Sequence, residues 1–426
     1  MINRSNIWFI LTIVFFSLIY FMQAYMYSSY IPNGYAWKDL MIKWTDGELI
    51  RRGLLGSVFY SLEPLIPLKY AAISFFYICY IFPISVIYKK LIKLKLPIWI
   101  LIALLFSPSL FLFNLHDTLV LKKDIVVIFG VSLSLLMVDL FFKNSDKCYN
   151  AKIAFFTFVY ISLYIFFILC YELFVFFVPL ILLYLFINLL KIYTLRKSLI
   201  ITSALGTISL LLFVILVIPY IGNLENVKRI VIDWSKYYPD LRIFLGALYE
   251  FQAPSDPFTF IIMPIDRYKE YFMYIYGNTK LMDLFLIYIL EMLPIIVITS
   301  LGYVKLKEQK SFLKMYLPAL ILVIHIPLLI SFVAFDFGRW IVFSFYAAIF
   351  VLCYFTEENI TRKFSSILNY SIVKVLFFLI AIVYILLWQP LHWVPVPSES
   401  LIQFNWPGLD LLFNTIDFYS NVLNSK

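Results

Sequence analysis

Long runs of apolar residues, separated by short polar connections, repeat along this chain. Eleven windows approach the roughly 20 residues that an apolar helix needs to span a bilayer. They cover residues 7–27, 69–88, 97–114, 124–142, 153–170, 173–190, 199–219, 284–304, 315–334, 340–356 and 371–388. The pattern predicts an all-α polytopic membrane protein with about 11 transmembrane helices, forming a single integral membrane domain over residues 1–426.

The connections between these windows predict the orientation of the chain. Lys and Arg concentrate in alternate connections, which hold 18 of the 34 basic residues. Short cytoplasmic connections carry such an excess, so we expect a cytoplasmic N-terminus. Three segments then fall on the outer side: a first loop (28–68) with one or two interfacial helices, a large loop (220–283) and the C-terminal tail (389–426).

The amino-acid composition argues against several classes of protein. Hydrophobic residues make up 63% of the chain and charged residues 14%, against roughly 25% charged residues in soluble domains. The net charge of +9 does not indicate nucleic-acid binding, because about half of the basic residues lie in the short connections between the predicted spans. Four scattered cysteines show neither metal-ligand spacing nor a disulfide framework. We therefore expect a lipid bilayer as partner, no nucleic acid, no metal and no cofactor.

Four charged clusters lie beside predicted spans, all on the expected outer side. Charge next to hydrocarbon is costly and often marks a functional site. The clusters are Asp46, Glu48, Arg51 and Arg52; His116, Asp117, Lys122, Lys123 and Asp124; Glu172; and Asp336 with Arg339. Their expected convergence on one face predicts a site for a charged, lipid-borne substrate. Structural ion pairs within the clusters are the alternative.

The first cluster has a helical interpretation. If residues 46–56 form a helix, Glu48 and Arg52 lie one turn apart and can pair. Gly53 and Gly56 would allow another backbone or a ligand to approach closely. Two adjacent arginines also offer planar guanidinium groups suited to phosphate oxygens.

The other three clusters also have predicted spacings or pairings. In a helix, Asp117 and Asp124 would share a face about two turns apart, roughly 10 Å along the axis. Glu172, at a turn between two apolar spans, can pair with a cation of another cluster or act as a base. Asp336 and Arg339 are three residues apart and can pair with each other.

The hydropathy layout and these acidic positions resemble the Wzy-type O-antigen and capsular polysaccharide polymerases of Gram-negative bacteria. These belong to the broader GT-C-like group of multispan membrane glycosyltransferases. In that group an acidic residue of the first outer loop is often catalytic, which matches Asp46 or Glu48. A second acidic position, between spans three and four, matches Asp117 or Asp124.

The resemblance implies an enzyme of the bacterial inner (plasma) membrane that polymerises undecaprenyl-pyrophosphate-linked oligosaccharide repeat units on the periplasmic face. The outer loops would then be periplasmic, and a chain-length regulator protein would be a partner. One of the candidate catalytic carboxylates, Asp46, Glu48 or Asp117, would act as general base. The implied substrate-binding residues are Arg51, Arg52, His116, Lys122, Lys123, Asp124, Glu172, Asp336 and Arg339.

Two other functions stay open. A GT-C-like transferase would add a single sugar from a polyprenyl-phosphate donor, as in serotype modification. A flippase or transporter would move lipid-linked sugars without chemistry, and would carry charge at many depths of its spans. The concentration of charge at the outer ends favours a transferase.

Overall fold

The computed structural model describes residues 4–31, 34–45, 48–94, 104–105, 120–142, 149–220, 222–242, 321, 326, 337–355 and 414–421. These residues are helical apart from turns and short connections, and they contain no β-strand. The one β-type element among them is an isolated antiparallel bridge between Thr45 and Glu48. The predicted all-helical class is confirmed for this part of the chain.

The helices follow one another closely along the described segments. The α-helices are α1 (Arg4–Tyr27), α2 (Tyr35–Met41), α3 (Gly53–Leu62), α4 (Leu68–Lys93), α5 (Asp124–Phe142), α6 (Tyr149–Cys170), α7 (Val178–Leu189), α8 (Leu195–Leu216), α9 (Leu224–Trp234) and α10 (Phe337–Tyr354). Short 3₁₀ helices cover Ser28–Tyr30, Glu172–Phe177 and Pro239–Arg242.

Among the described residues, six helical segments are long and apolar enough to span a membrane. They are Ile7–Tyr30, Leu68–Lys93, Asp124–Phe142, Ala151–Cys170, Glu172–Leu189 and Leu195–Leu216. Each coincides with a predicted window, which is the arrangement of a polytopic membrane protein. The window 340–356 largely coincides with α10. The windows 97–114, 284–304, 315–334 and 371–388 lie outside the described residues, apart from isolated positions.

The chain divides into two compact units. One comprises residues 1–22, 81–116 and 269–426, and the other comprises residues 23–80 and 117–268. The second unit contains most of the described helices and, apart from His116, three of the charged clusters.

Within the second unit, α5 is the central helix of a bundle. It packs against α6 and α7, and α8 packs against α6 and α7. Gly130 of α5 permits a close approach, since a Cβ there would lie 2.8 Å from the ring of Phe167 in α6. Two thirds of the apolar window of α5 is buried, against 17% for α8. Helix α5 is therefore largely enclosed within the bundle, whereas α8 is mostly exposed.

Helices α2 and α3 pack tightly against each other beside this bundle. A Cβ on Gly56 would overlap the Ile42 carbonyl group and lie 2.7 Å from the carbonyl oxygen of Leu40. The expected close approach of another backbone at Gly56 is thus confirmed. Helix α3 also contacts α6, which brings the start of α3 to the bundle.

Helix α9 belongs to the predicted large loop and is amphipathic. Its buried apolar residues Val227, Ile230, Val231 and Trp234 follow helical spacing. The indole N–H of Trp234 donates to the carbonyl oxygen of Met41 over 2.8 Å. This bond joins α9 to the end of α2, and so to the segment that leads into the first charged cluster.

Candidate functional site

The first charged cluster begins with a tight turn rather than a helix. Thr45 and Glu48 exchange both backbone hydrogen bonds, at 3.3 and 2.7 Å, and α3 begins only at Gly53. The prediction of a helix over 46–56 is therefore wrong for residues 48–52. Glu48 and Arg52 do not lie one turn apart on a helix, and each binds a different partner. Asp46 lies outside the described residues.

Arg52 occupies a strained backbone position immediately before α3. Its φ of 64° and ψ of 5° are left-handed, and no other non-glycine residue in the described segments has a positive φ. A side chain in this region costs on the order of 1–3 kcal/mol, and such outliers concentrate at functional sites. The surrounding contacts must therefore hold Arg52 in place.

Glu172 supplies the main contact of the Arg52 side chain. The Arg52 Nε donates to both carboxylate oxygens of Glu172 at 2.7 and 2.8 Å, and Nη2 forms a further short bond to Oε1. The guanidinium also lies 4.7 Å from the centre of the Tyr171 ring. The prediction that Glu172 pairs with a cation of another cluster is confirmed, and its partner is Arg52.

This pair is largely removed from water. The side chains of Arg52 and Glu172 are 20% and 13% exposed. Burial alone would lower the pKa of Arg52, but the charges of Glu172 and Tyr171 outweigh it and raise the pKa well above its ordinary value. Arg52 therefore keeps its charge. Arg51 also interacts electrostatically with Glu172, so that two adjacent cations act on one carboxylate.

Lys123 links the second cluster to the first. Its side chain is completely buried, and its Nζ donates to the carbonyl oxygens of Asp39 at 2.7 Å and Arg52 at 3.0 Å. The Asp39 Oδ2 lies 3.6 Å away. Burial lowers the pKa of Lys123, and the charge of Asp39 only partly offsets it. Lys123 thus holds the carbonyl group of the strained Arg52, and we call Asp39, Arg52, Lys123 and Glu172 the inner cluster.

Residues 120–123 of the second cluster are not helical, contrary to the prediction. They form turns, and α5 begins at Asp124. Asp117 and Asp124 therefore do not share a continuous helical face, which corrects the predicted spacing. Lys122 and Asp124 are both buried. Asp117 and His116 lie outside the described residues.

Glu48 has a partner that the sequence did not indicate. The side-chain amide of Asn226 in α9 donates to the Glu48 Oε2 at 2.7 Å and to the Thr45 Oγ1 at 3.1 Å. Glu48 itself is exposed, whereas Asn226 is buried. The carboxylate is therefore held on one side and open to solvent on the other.

A second ion pair joins α9 to the end of α2. The Lys43 Nζ lies 2.7 Å from the Asp233 Oδ2 and 4.4 Å from the centre of the Tyr60 ring. We call Lys43, Glu48, Asn226 and Asp233 the α9 contact. The helical spacing of apolar residues in 227–234 was a signal for a docked helix here, but it did not identify the polar partners.

The fourth charged cluster is only partly described. Asp336 lies outside the described residues, and Arg339 lies in the first turn of α10. Arg339 belongs to the other compact unit, while the inner cluster and the α9 contact lie together in the second. Within the described segments, no group of three or more His, Cys, Asp or Glu residues is arranged to hold a metal ion.

The comparisons with known proteins do not identify this arrangement. No family model, characterised protein or solved structure matches the chain.

Proposed function

We propose that this protein is a glycosyltransferase of the bacterial inner membrane that polymerises undecaprenyl-pyrophosphate-linked oligosaccharide repeat units of O-antigen or capsule. The transfer would occur on the periplasmic face. The observation that carries the proposal is the inner cluster, whose cations lie at the starts of α3 and α5, with the solvent-exposed Glu48 four residues before Arg52 in the chain.

The position of the cations supports an anionic substrate borne by a lipid. Charged groups beside hydrocarbon are costly, yet Lys123 is fully buried here, Arg52 is largely buried and Arg51 adjoins them. Removal from water strengthens their interaction with an anion. A pyrophosphate at the membrane surface offers the anionic oxygens that guanidinium groups bind in paired geometry.

The contacts divide the roles among these cations. Arg51 is half-buried and adjacent to the pair, so we assign it to the pyrophosphate. Arg52 is held by Glu172 and would contribute charge from a fixed position. Lys123 is a positioning residue, because its three donors face the Asp39 carboxylate and two backbone carbonyl groups. His116, Lys122, Asp336 and Arg339 stay predicted contributors to binding.

The reaction requires a base and stabilisation of a leaving anion. Glu48, or alternatively Asp46 or Asp117, would take the proton of an acceptor sugar hydroxyl. The hydroxyl oxygen would then bond to the anomeric carbon of the donor. The bond from that carbon to the pyrophosphate oxygen would break, and its electron pair would leave with undecaprenyl pyrophosphate. The neighbouring cations would stabilise the charge on this group as it departs.

The proposed topology has eleven spans, a cytoplasmic N-terminus and periplasmic loops at 28–68 and 220–283. The inner cluster supports it, because the start of α3, the start of α5 and the turn between α6 and α7 meet there. Alternating spans require these three connections to lie on one side of the membrane. Helix α9, from the large loop, also reaches this end.

A gel of surface polysaccharide tests the proposed function. A strain lacking the gene should show lipid core bearing one repeat unit, and complementation should restore the ladder. Complementation with Arg51→Gln should fail to restore it, whereas Lys236→Gln should succeed, because Lys236 is a solvent-exposed cation.

Each alternative function predicts a different pattern of surface polysaccharide on the gel. A ladder that persists with altered composition indicates a single-sugar transferase. Loss of even the single repeat unit indicates a flippase. An unchanged ladder in the deletion strain contradicts the proposal, as does full function after Glu48→Gln, Asp46→Asn, Asp117→Asn and Arg51→Gln in turn.

A further inference from the structure

We propose that Asn226 is a positioning residue for catalysis, which orients the Glu48 carboxylate toward the acceptor hydroxyl. This inference rests on the proposed function and deepens it, because it selects Glu48 among the candidate bases. It also gives the large loop a direct role at the site, through the first turn of α9.

The orientation of the Asn226 amide is set by the helix itself. Asn223 and Asn226 form a reciprocal capping box at the start of α9. The Asn226 Oδ1 accepts from the Asn223 backbone N–H at 2.9 Å, and the Asn226 N–H donates to the Asn223 Oδ1 at 2.9 Å. Because the amide oxygen is used in the cap, the amide NH₂ group must point away from it.

Both hydrogens of that NH₂ group have acceptors on the Thr45–Glu48 turn. One acceptor is the Thr45 Oγ1 and the other is the Glu48 Oε2. Asn226 is 4% exposed, so its amide is shielded from solvent even though Glu48 is exposed, and hydrogen bonds are stronger where water is excluded. One Glu48 oxygen is thus fixed to a rigid helix start, and its carboxylate is held in one orientation.

The charged groups around Glu48 are otherwise engaged. Lys43 and Asp233 bind each other, and Arg52 binds Glu172. Glu225 of α9 lies within ion-pair distance of Lys228 and Arg229. Arg51 follows Glu48 in the chain and interacts with Glu172. A new negative charge at position 226 would therefore act mainly on Glu48, its direct hydrogen-bond partner.

Two variants with the same added charge separate orientation from helix stability. Asn226→Asp removes both donors and sets a carboxylate against Glu48, while Asn223→Asp retains a good N-cap residue three positions earlier. Both add a favourable charge at the helix start. They differ in that the Asn223 side chain accepts from the backbone N–H of Asn226, whereas the Asn226 side chain donates to Glu48.

The polysaccharide ladder, measured over media from mildly acidic to mildly alkaline, provides the readout. A like charge makes a carboxylate retain its proton to higher pH. With Asn226→Asp, we therefore expect polysaccharide synthesis to fall by roughly half at the acidic end of this range and to recover toward the alkaline end, because a shift of about one pH unit brings an ordinary glutamate to half protonation only in acidic medium. Asn223→Asp should follow the native profile, and Glu48→Gln should abolish the ladder at every pH.

Identical pH profiles for the Asn226→Asp and Asn223→Asp variants would overturn the inference. A full ladder from the Glu48→Gln variant would also overturn it. If Asn226→Asp does not accumulate, Asn226→Glu replaces it, because glutamate at this position satisfies a capping box. Failure of both to accumulate, while Asn223→Asp does, would assign Asn226 to folding alone. An unchanged ladder in the deletion strain would instead reject the proposed function itself.

Discussion

The inner cluster and the α9 contact are adjacent regions that use charge in opposite ways. In the inner cluster, Lys123 is fully buried and the Arg52–Glu172 pair is largely so. In the α9 contact, Asp233 is 29% exposed and Glu48 is open to solvent. Both regions hold the segment between α2 and α3, one from the bundle side and the other from the loop side.

This difference in burial distinguishes charges that stabilise the fold from a charge that a substrate can reach. A buried charge contributes only when its partners are complete, because the loss of one partner leaves the other uncompensated. A partly exposed charge contributes little to stability, and it remains accessible to a substrate. The inner cluster is therefore suited to hold geometry, and the α9 contact is suited to present a reactive carboxylate.

The largest effect should come from breaking the Arg52–Glu172 pair. Glu172→Ala should lower the free energy of unfolding by about 3–5 kcal/mol, since it leaves a buried guanidinium without its carboxylate. Thermal unfolding in detergent measures this change. The double variant Arg52→Met with Glu172→Leu should recover most of the loss. A single variant as stable as the native protein would show that the pair is not buried in solution.

Lys123→Met should be the next most destabilising change. It removes the donors to the carbonyl oxygens of Asp39 and Arg52, and each buried group left without a hydrogen bond costs about 1–3 kcal/mol. The exposed Lys236→Met is the matched control and should change stability little. Equal unfolding midpoints for the two variants would contradict the burial of Lys123.

Gly56→Ala tests the scaffold that the two regions share. The added Cβ would overlap the Ile42 carbonyl group, so α3 must move away from the end of α2, at a cost of about 1–3 kcal/mol. Gly206→Ala in α8 is the control, because its nearest contact would be a leucine methyl group at 3.2 Å. We expect a lower unfolding midpoint for Gly56→Ala alone, and similar midpoints would refute the close approach.

The smallest effect concerns the Lys43–Asp233 pair. Burial would raise the pKa of Asp233, but the hydrogen bonds of Lys43 and Lys236 outweigh it and lower the pKa below its ordinary value of 3.8. The stabilisation is therefore complete above about pH 3.8 and is lost as the pH falls further, by about 0.2–1 kcal/mol. Hydrogen exchange in α9 measures the loss. Asp233→Asn should abolish this pH dependence, and an unchanged dependence would contradict the assignment.

The spans were predictable because hydropathy and length are local properties of the chain. Six windows became helices close to their predicted bounds, including the division between α6 and α7 at Tyr171 and Glu172. The charged residues beside apolar runs also predicted that Arg52, Lys123 and Glu172 would lie close together, which the structure confirms. Local spacing then gave the wrong helix start and the wrong partner for Arg52.

Hydropathy and residue order were enough to predict long apolar helices with charged residues at their ends. Which charges meet depends on how those helices pack. Arg52 pairs with Glu172, 120 positions away, because the Thr45–Glu48 turn and a left-handed backbone aim it at the bundle. Glu48 meets Asn226, 178 positions away, because the apolar face of α9 docks there. Such partners depend on how helices pack, which no local pattern contains.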